Sequence, residues 1–152
     1  MALDPVNAQL LFQIYDLRRE ERMRRARGWL ISSFWAENLE EFGMLCPPGS
    51  DENAYYRMVT SYWEMAASVI NRGMLDEELY FENNAEGLLV WLRVKGVTQQ
   101  MRAGGKNPLL LRNLETVSDK HVKWFETHAP GALAETLKRL ETMRQKPEAL
   151  ER

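Results

Sequence analysis

Residues 55–92, YYRMVTSYWEMAASVINRGMLDEELYFENNAEGLLVWL, decide how the rest of the chain is read. They hold two of the five tryptophans, four of the five tyrosines and a dense set of aliphatic side chains. From Asp51 to Arg72 the apolar positions are Tyr55, Val59, Tyr62, Trp63, Ala66, Val69 and Ile70, which keep to one side of a helix turning every 3.6 residues. Glu52, Arg57, Thr60, Ser61, Glu64 and Ser68 fall on the other side and are expected to face water. Ser50 or Asp51 can accept hydrogen bonds from the free N–H groups of the first turn, and Gly73 can take the left-handed conformation that closes the last. Asp76 opens the next helix, with Glu77 and Glu78 where the helix dipole favours negative charge. Leu79, Tyr80 and Phe81 make a short piece that stops at Asn83–Asn84. A new start at Asn84 then carries Leu88, Leu89, Trp91, Leu92 and Val94. Trp63 and Trp91 together seed the core, because large aromatics remove the most area from water.

Upstream, Asp4–Pro5 is a cap followed by proline at the first helical position. Val6, Leu10, Leu11, Ile14, Tyr15 and Leu17 form an apolar stripe, which resumes beyond Gly28 with Trp29, Leu30, Phe34, Trp35, Leu39 and Phe42. Between them lies RREERMRRAR, residues 18–27, six arginines against two glutamates and so a local charge of +4. Glu20–Arg24 and Glu21–Arg25 have the i, i+4 spacing that supports a helix. The expectation is one long helix over residues 5–42, bent near Gly28 or Ser32–Ser33. Pro47–Pro48–Gly49–Ser50 makes the first loop. Downstream, the helix holding Trp91 runs to Ala103 and breaks at Gly104–Gly105. Asn107–Pro108 opens another, with Leu110, Leu111, Leu114, Val117, Val122 and Phe125 inside, and Pro130–Gly131 ends it. Leu133, Leu137, Leu140 and Met143 mark a last, charged helix that Pro147 stops.

The order Tyr62–Trp63, then INRGMLDEELYFEN, then Trp91 and a downstream arginine-containing helix resembles an uncharacterised bacterial family, over roughly residues 8–125. The resemblance implies an all-helical domain of unknown function, of a kind often found near membranes or in mobile gene neighbourhoods. It brings no catalytic residues with it.

A chain of 152 residues with 45% hydrophobic side chains is expected to form one domain over residues 1–146, with 147–152 a disordered tail. The fold class is all-α, a compact bundle of five or six helices with a long N-terminal helix. A net charge of −2 gives no bulk attraction to polyanions. A single cysteine, Cys46, suits a reducing cytoplasm, and the start MALDPVNAQ lacks the basic and apolar runs of a signal peptide. The longest apolar run, GLLVWL, is too short to cross a bilayer.

Several constellations invite chemistry and are better explained without it. Arg18, Arg19, Arg22, Arg24, Arg25 and Arg27 could form an anion-binding patch for nucleic acid or a membrane surface. No aromatic residue interleaves them for base stacking, and pairing with Glu37, Glu40 and Glu41 or with Asp76, Glu77 and Glu78 accounts for them. His121 and His128, seven apart, could approach a metal with Asp119 or Glu126, yet no Glu-x-x-His spacing accompanies them. Surface histidines near a helix end are the simpler reading. Gly104–Gly105–Lys106 lacks the other elements of a phosphate loop. No cofactor and no catalytic set is expected.

Trp29, Phe34 and Trp35 project in more than one direction around a helix and are more aromatic surface than one face can bury, with Arg25 and Arg27 at their edge; core packing alone is the other reading of the group. Aromatic anchors inside an arginine rim are the anatomy of a protein contact. The resulting expectation is a cytoplasmic, non-catalytic interaction module that forms a homodimer through these residues. The alternative is a peripheral membrane- or nucleic-acid-associated regulator using residues 18–27.

Overall fold

The computed structural model describes residues 3–144 and 146–151. Within them the chain is all-α, with eight helices: α1 (Val6–Leu17), α2 (Glu21–Ser33), α3 (Leu39–Leu45), α4 (Asp51–Asn71), α5 (Glu77–Asn83), α6 (Glu86–Gly105), α7 (Arg112–His128) and α8 (Ala132–Met143). The expected five or six helices are therefore too few. The difference lies chiefly at the N-terminus, where the single long helix of residues 5–42 is three.

The first break has a local cause. Glu20 takes an extended conformation (φ −56°, ψ 139°), and its carboxylate accepts from the N–H groups of Arg22 and Met23, at 3.0 and 2.9 Å. It caps α2 instead of pairing with Arg24, and these backbone hydrogen bonds hold its pKa below the usual carboxylate range. The i, i+4 pair that does form is Glu21–Arg25, at 2.6 Å. The second break follows Ser33: Phe34 is extended, and Asn38 caps α3 through Glu41 N–H at 2.9 Å. Of the two places where a bend was expected, α2 runs through Gly28 and ends at Ser32–Ser33.

α4 is the central element, packed against both α2 and α7, with α5 and α6 also touching it. Its caps are those the sequence signals: the Ser50 hydroxyl accepts from Asn53 N–H at 3.1 Å, and Gly73 is left-handed at φ 74°. Trp63 is fully buried and Trp91 nearly so, in one cluster with Phe34, Tyr56, Tyr80, Phe81 and the α6 valines. Tyr56 is more deeply buried than Tyr55.

Two α4 residues expected to face water do not. The Thr60 hydroxyl is buried and satisfied by the Tyr56 carbonyl at 2.7 Å. Glu64 reaches across to α7 and accepts from the backbone N–H groups of Asn113 and Leu114, at 3.1 and 2.7 Å. Those N–H groups need a partner because α7 has no cap of its own. Asn107–Pro108 leads into a turn, and the helix starts only at Arg112, after Leu111 in the left-handed region at φ 54°. α5 and α6 are separated by a buried Asn84, and α6 runs to Gly105, two residues beyond the expected end.

Residues 147–151, expected within a disordered tail, carry a 3-10 turn (Glu148–Leu150) packed against α3; Arg152 lies outside the described residues.

Candidate functional site

The arginine-rich segment is built around one glutamate. Glu86, in the first turn of α6, receives the Arg27 guanidinium in bidentate fashion, Nε to Oε1 and Nη2 to Oε2, each at 2.6 Å. Arg27 also donates to the Arg18 carbonyl at 3.0 Å, tying α2 to the end of α1. Arg18 lies 3.5 Å from Glu86 and stacks over Trp63 and Tyr15. The hydrogen bonds from Arg27 to Glu86 outweigh desolvation and push its guanidinium pKa up. Two of the six arginines are therefore fasteners between the N-terminal helices and the core.

Arg22 lies 3.6 Å from Asp51 and Arg25 pairs with Glu21, both at the surface. The acidic partners are thus Glu86, Asp51 and Glu21, and none of them belongs to the groups 37–41 or 76–78 that the sequence suggested. Arg19 and Arg24 are exposed, and Arg19 stacks on Tyr15.

The three aromatics of the expected interface go separate ways. Phe34 is fully buried and stacks on Tyr56 at 5.6 Å. Trp29 is half-buried against Phe34 and Tyr55. Trp35 is half-buried beneath Arg144, whose guanidinium carbon sits 3.8 Å from the ring centroid. Arg144 also donates to the Phe34 carbonyl and to Glu141, which in turn holds Arg93. Arg144, the residue that follows α8, thus shelters Trp35.

His121 is no surface histidine: it is fully buried, between the rings of Phe81 and Phe125 at 4.4 and 5.0 Å. Among the described residues neither ring nitrogen makes a hydrogen bond of good geometry. Burial pushes the imidazole down to about 4 and outweighs the opposing influence of the Phe81 backbone, so it is neutral at ordinary pH. The position was legible: His121 follows Val117 by four and Leu114 by seven, on the buried stripe of α7. His128, in contrast, is exposed and bonds the Trp124 carbonyl at 2.8 Å. Cys46 is buried too, and desolvation pushes its thiol up to about 12, far from a nucleophile's range. Among the described residues no group of three or more His, Cys, Asp or Glu side chains is placed to hold a metal ion.

What the sequence did not mark out is how little of α1 the fold buries. None of its residues is buried, although its sequence is VNAQLLFQIYDL. Leu10 and Ile14 rest partly on the core, Tyr62 donates its hydroxyl to the Ile14 carbonyl, and Asn7 accepts from Asp76 N–H at 2.7 Å. Phe12, Tyr15 and Leu17 remain 70%, 53% and 65% exposed. On one flank Leu10, Ile14 and Leu17 line an apolar groove of about 270 Å³ with Tyr62, Met65 and Val69 of α4. On the other, Leu11, Phe12, Tyr15 and Arg18 border a cleft of about 200 Å³ with Asn83 and Asn84. Phe12 sits off the stripe that faces the core, which is the signal that could have found this surface.

No helix among the described residues is long and apolar enough to cross a membrane. No curated protein and no solved structure matches the chain. A family model, a domain of unknown function designated DUF4760, matches residues 5–124, from the foot of α1 into α7. By that match the chain belongs to the DUF4760 family.

Proposed function

We propose that this protein is a helical interaction module that acts by non-covalent contact with another protein, self-association being the form the surface supports best. The observation that carries this reading is α1, a strongly apolar helix with no buried residue and with Phe12, Tyr15 and Leu17 open to solvent. Exposed apolar patches of this kind mark contact surfaces more often than they mark idle ones. Phe34 cannot be an anchor from inside the core, and Arg144 already shelters Trp35, so the contact moves from residues 29–35 to α1.

The alternative, recruitment to nucleic acid or a membrane through the arginines, has less support. Arg18 and Arg27 are committed to Glu86, and Arg22 and Arg25 face acidic side chains of their own. Light scattering across the micromolar range tests the proposal. The expected outcome is a mass rising above the 17.8 kDa of one chain toward twice that value. A mass of 17.8 kDa at every concentration would remove self-association.

A further inference from the structure

The exposed flank of α1 has a periodicity of its own. Pro5, Ala8, Phe12, Tyr15 and Arg19 follow one another at steps of three, four, three and four, and all five are exposed. That is the spacing of a seam between two helices, where each side chain enters a gap in the facing helix. Among the described residues the flank is turned away from the core, on which α1 rests through Leu10 and Ile14.

Charge and size along the stripe select the occupant. Asp4 lies just before α1 and Arg19 in the turn just after it, roughly 22 Å apart if the helical rise of about 1.5 Å per residue is carried through. Asp4 uses one carboxylate oxygen to cap Val6 N–H, at 2.9 Å, and among the described residues its other oxygen has no hydrogen bond. A second α1 laid antiparallel brings Arg19 of the second copy opposite Asp4, and the reverse, so that both ends pair. A parallel arrangement would set Arg19 against Arg19 and Asp4 against Asp4. In the antiparallel register that aligns 4 with 19, Ala8 meets Tyr15 of the second copy, small against large. Leu11 then meets Phe12 of the second copy at the centre. The cleft lined by Leu11, Phe12, Tyr15, Arg18, Asn83 and Asn84 gives that phenylalanine a place to enter.

We infer that the occupant of this flank is α1 of a second copy of the chain, paired antiparallel about a two-fold axis near Phe12, with Asp4 and Arg19 forming reciprocal ion pairs across it. The inference rests on the self-association reading and gives it a geometry. A two-fold contact is closed, because the same patch serves both copies, so it stops at a dimer. One helix per side is a small interface, which places it among weak, reversible associations.

The test is a set of variants measured by sedimentation equilibrium on the full chain. Phe12→Glu, at a position 70% exposed, leaves the fold intact and weakens the dimer about 30-fold, the effect of losing one aromatic anchor. Asp4→Arg and Arg19→Asp each weaken it about fivefold by setting like charges opposite each other. The double variant Asp4→Arg/Arg19→Asp recovers to within about twofold of the native dimer, because the pair is restored in reverse. Loss of the Asp4 cap cannot mimic that recovery, since Arg19→Asp does not replace it. A dimer indifferent to all of these overturns the seam and leaves self-association standing, whereas a native chain that is monomeric overturns both. Addition of vesicles of anionic phospholipid supplies one further outcome. If the native monomer binds them, Phe12→Glu does not, and the charge swap has no compensating effect, the flank is a lipid-facing surface and the seam is overturned.

Discussion

Gly87 stands where α6 crosses the aromatic core, and replacing it by alanine tests whether that crossing is as close as the structure places it. A Cβ at Gly87 would lie 2.5 Å from the Tyr80 hydroxyl oxygen, 3.0 Å from Trp63 Cε3 and 3.4 Å from Trp63 Cδ2. Carbon contacts settle at about 3.5–4.0 Å, so at least two of these are steric conflicts. Neither neighbour has room to withdraw: Trp63 is 0% exposed and Tyr80 1%. Two terms compete. Alanine in place of glycine favours the helix by up to about 1 kcal/mol, while forcing a methyl group into a filled core costs about 1–3 kcal/mol. The conflict wins, and Gly87→Ala should lose about 1–2 kcal/mol net. At about 2–4 °C per kcal/mol for a chain of this size, the melting temperature falls measurably. Gly28→Ala is the control, because a Cβ there meets nothing within 4 Å and α2 should gain about 0.5–1 kcal/mol. Far-ultraviolet circular dichroism with urea reads both. A Gly87→Ala protein as stable as the native one, beside a Gly28→Ala protein that gained, would refute the reasoning.

Acid should act through His121. Its folded-state value is depressed to about 4 from 6.5, so its contribution is fully present above 6.5 and is lost as pH falls from 6.5 towards 4, by up to about 1.4 kcal/mol per unit. His121→Leu, which removes two unpartnered buried nitrogens, should flatten that part of the stability profile at little or no cost at neutral pH; an unchanged acid slope would count against the assignment. Glu86→Ala should cost about 3 kcal/mol, because it strands Arg27 and Arg18 at side-chain exposures of 23% and 12%. Equilibrium unfolding decides it, and a loss under about 1 kcal/mol would make the pair an ordinary surface contact.

What the sequence could express, it expressed locally. Ser50, Gly73 and Asp76 act on N–H and C=O groups within a few residues of themselves, and each does what its type and place suggest. The α1–α2 break is local too, yet it was hidden. The same Glu20 that can pair with Arg24 along a continuous helix can also cap a new one, and the spacing alone does not separate the two. Glu64, Thr60 and the arginines are a different matter. The Glu64 partners lie 49 and 50 residues downstream, and Glu86 lies 68 and 59 residues from Arg18 and Arg27. Charge on a helix face reads as solvated until the fold brings an opposite group to it. Trp35 is long-range in the same way: it lies under Arg144, which also bonds the Phe34 carbonyl 110 residues upstream, and no local pattern announces that return.

The carboxylate of Glu64 means that α7 does not begin on its own authority. Its first turn follows a left-handed Leu111 and has no capping side chain nearby, so the donors that would start the helix are held from α4 instead. A segment covering α7 alone has its apolar stripe but no anchor for its leading turn, and isolated helices of such length are marginal in water even when well capped. α4 and α7 must therefore gain and lose order together. Closing the loop between them costs chain entropy before either helix is repaid by their shared packing. The chain between Glu64 and Asn113, which contains α5 and all of α6, is enclosed by that one event. Local opening at the start of α7 would accordingly propagate into the centre of the bundle, and hydrogen exchange at Leu114 should report the unfolding of the whole domain, not the fraying of a helix end.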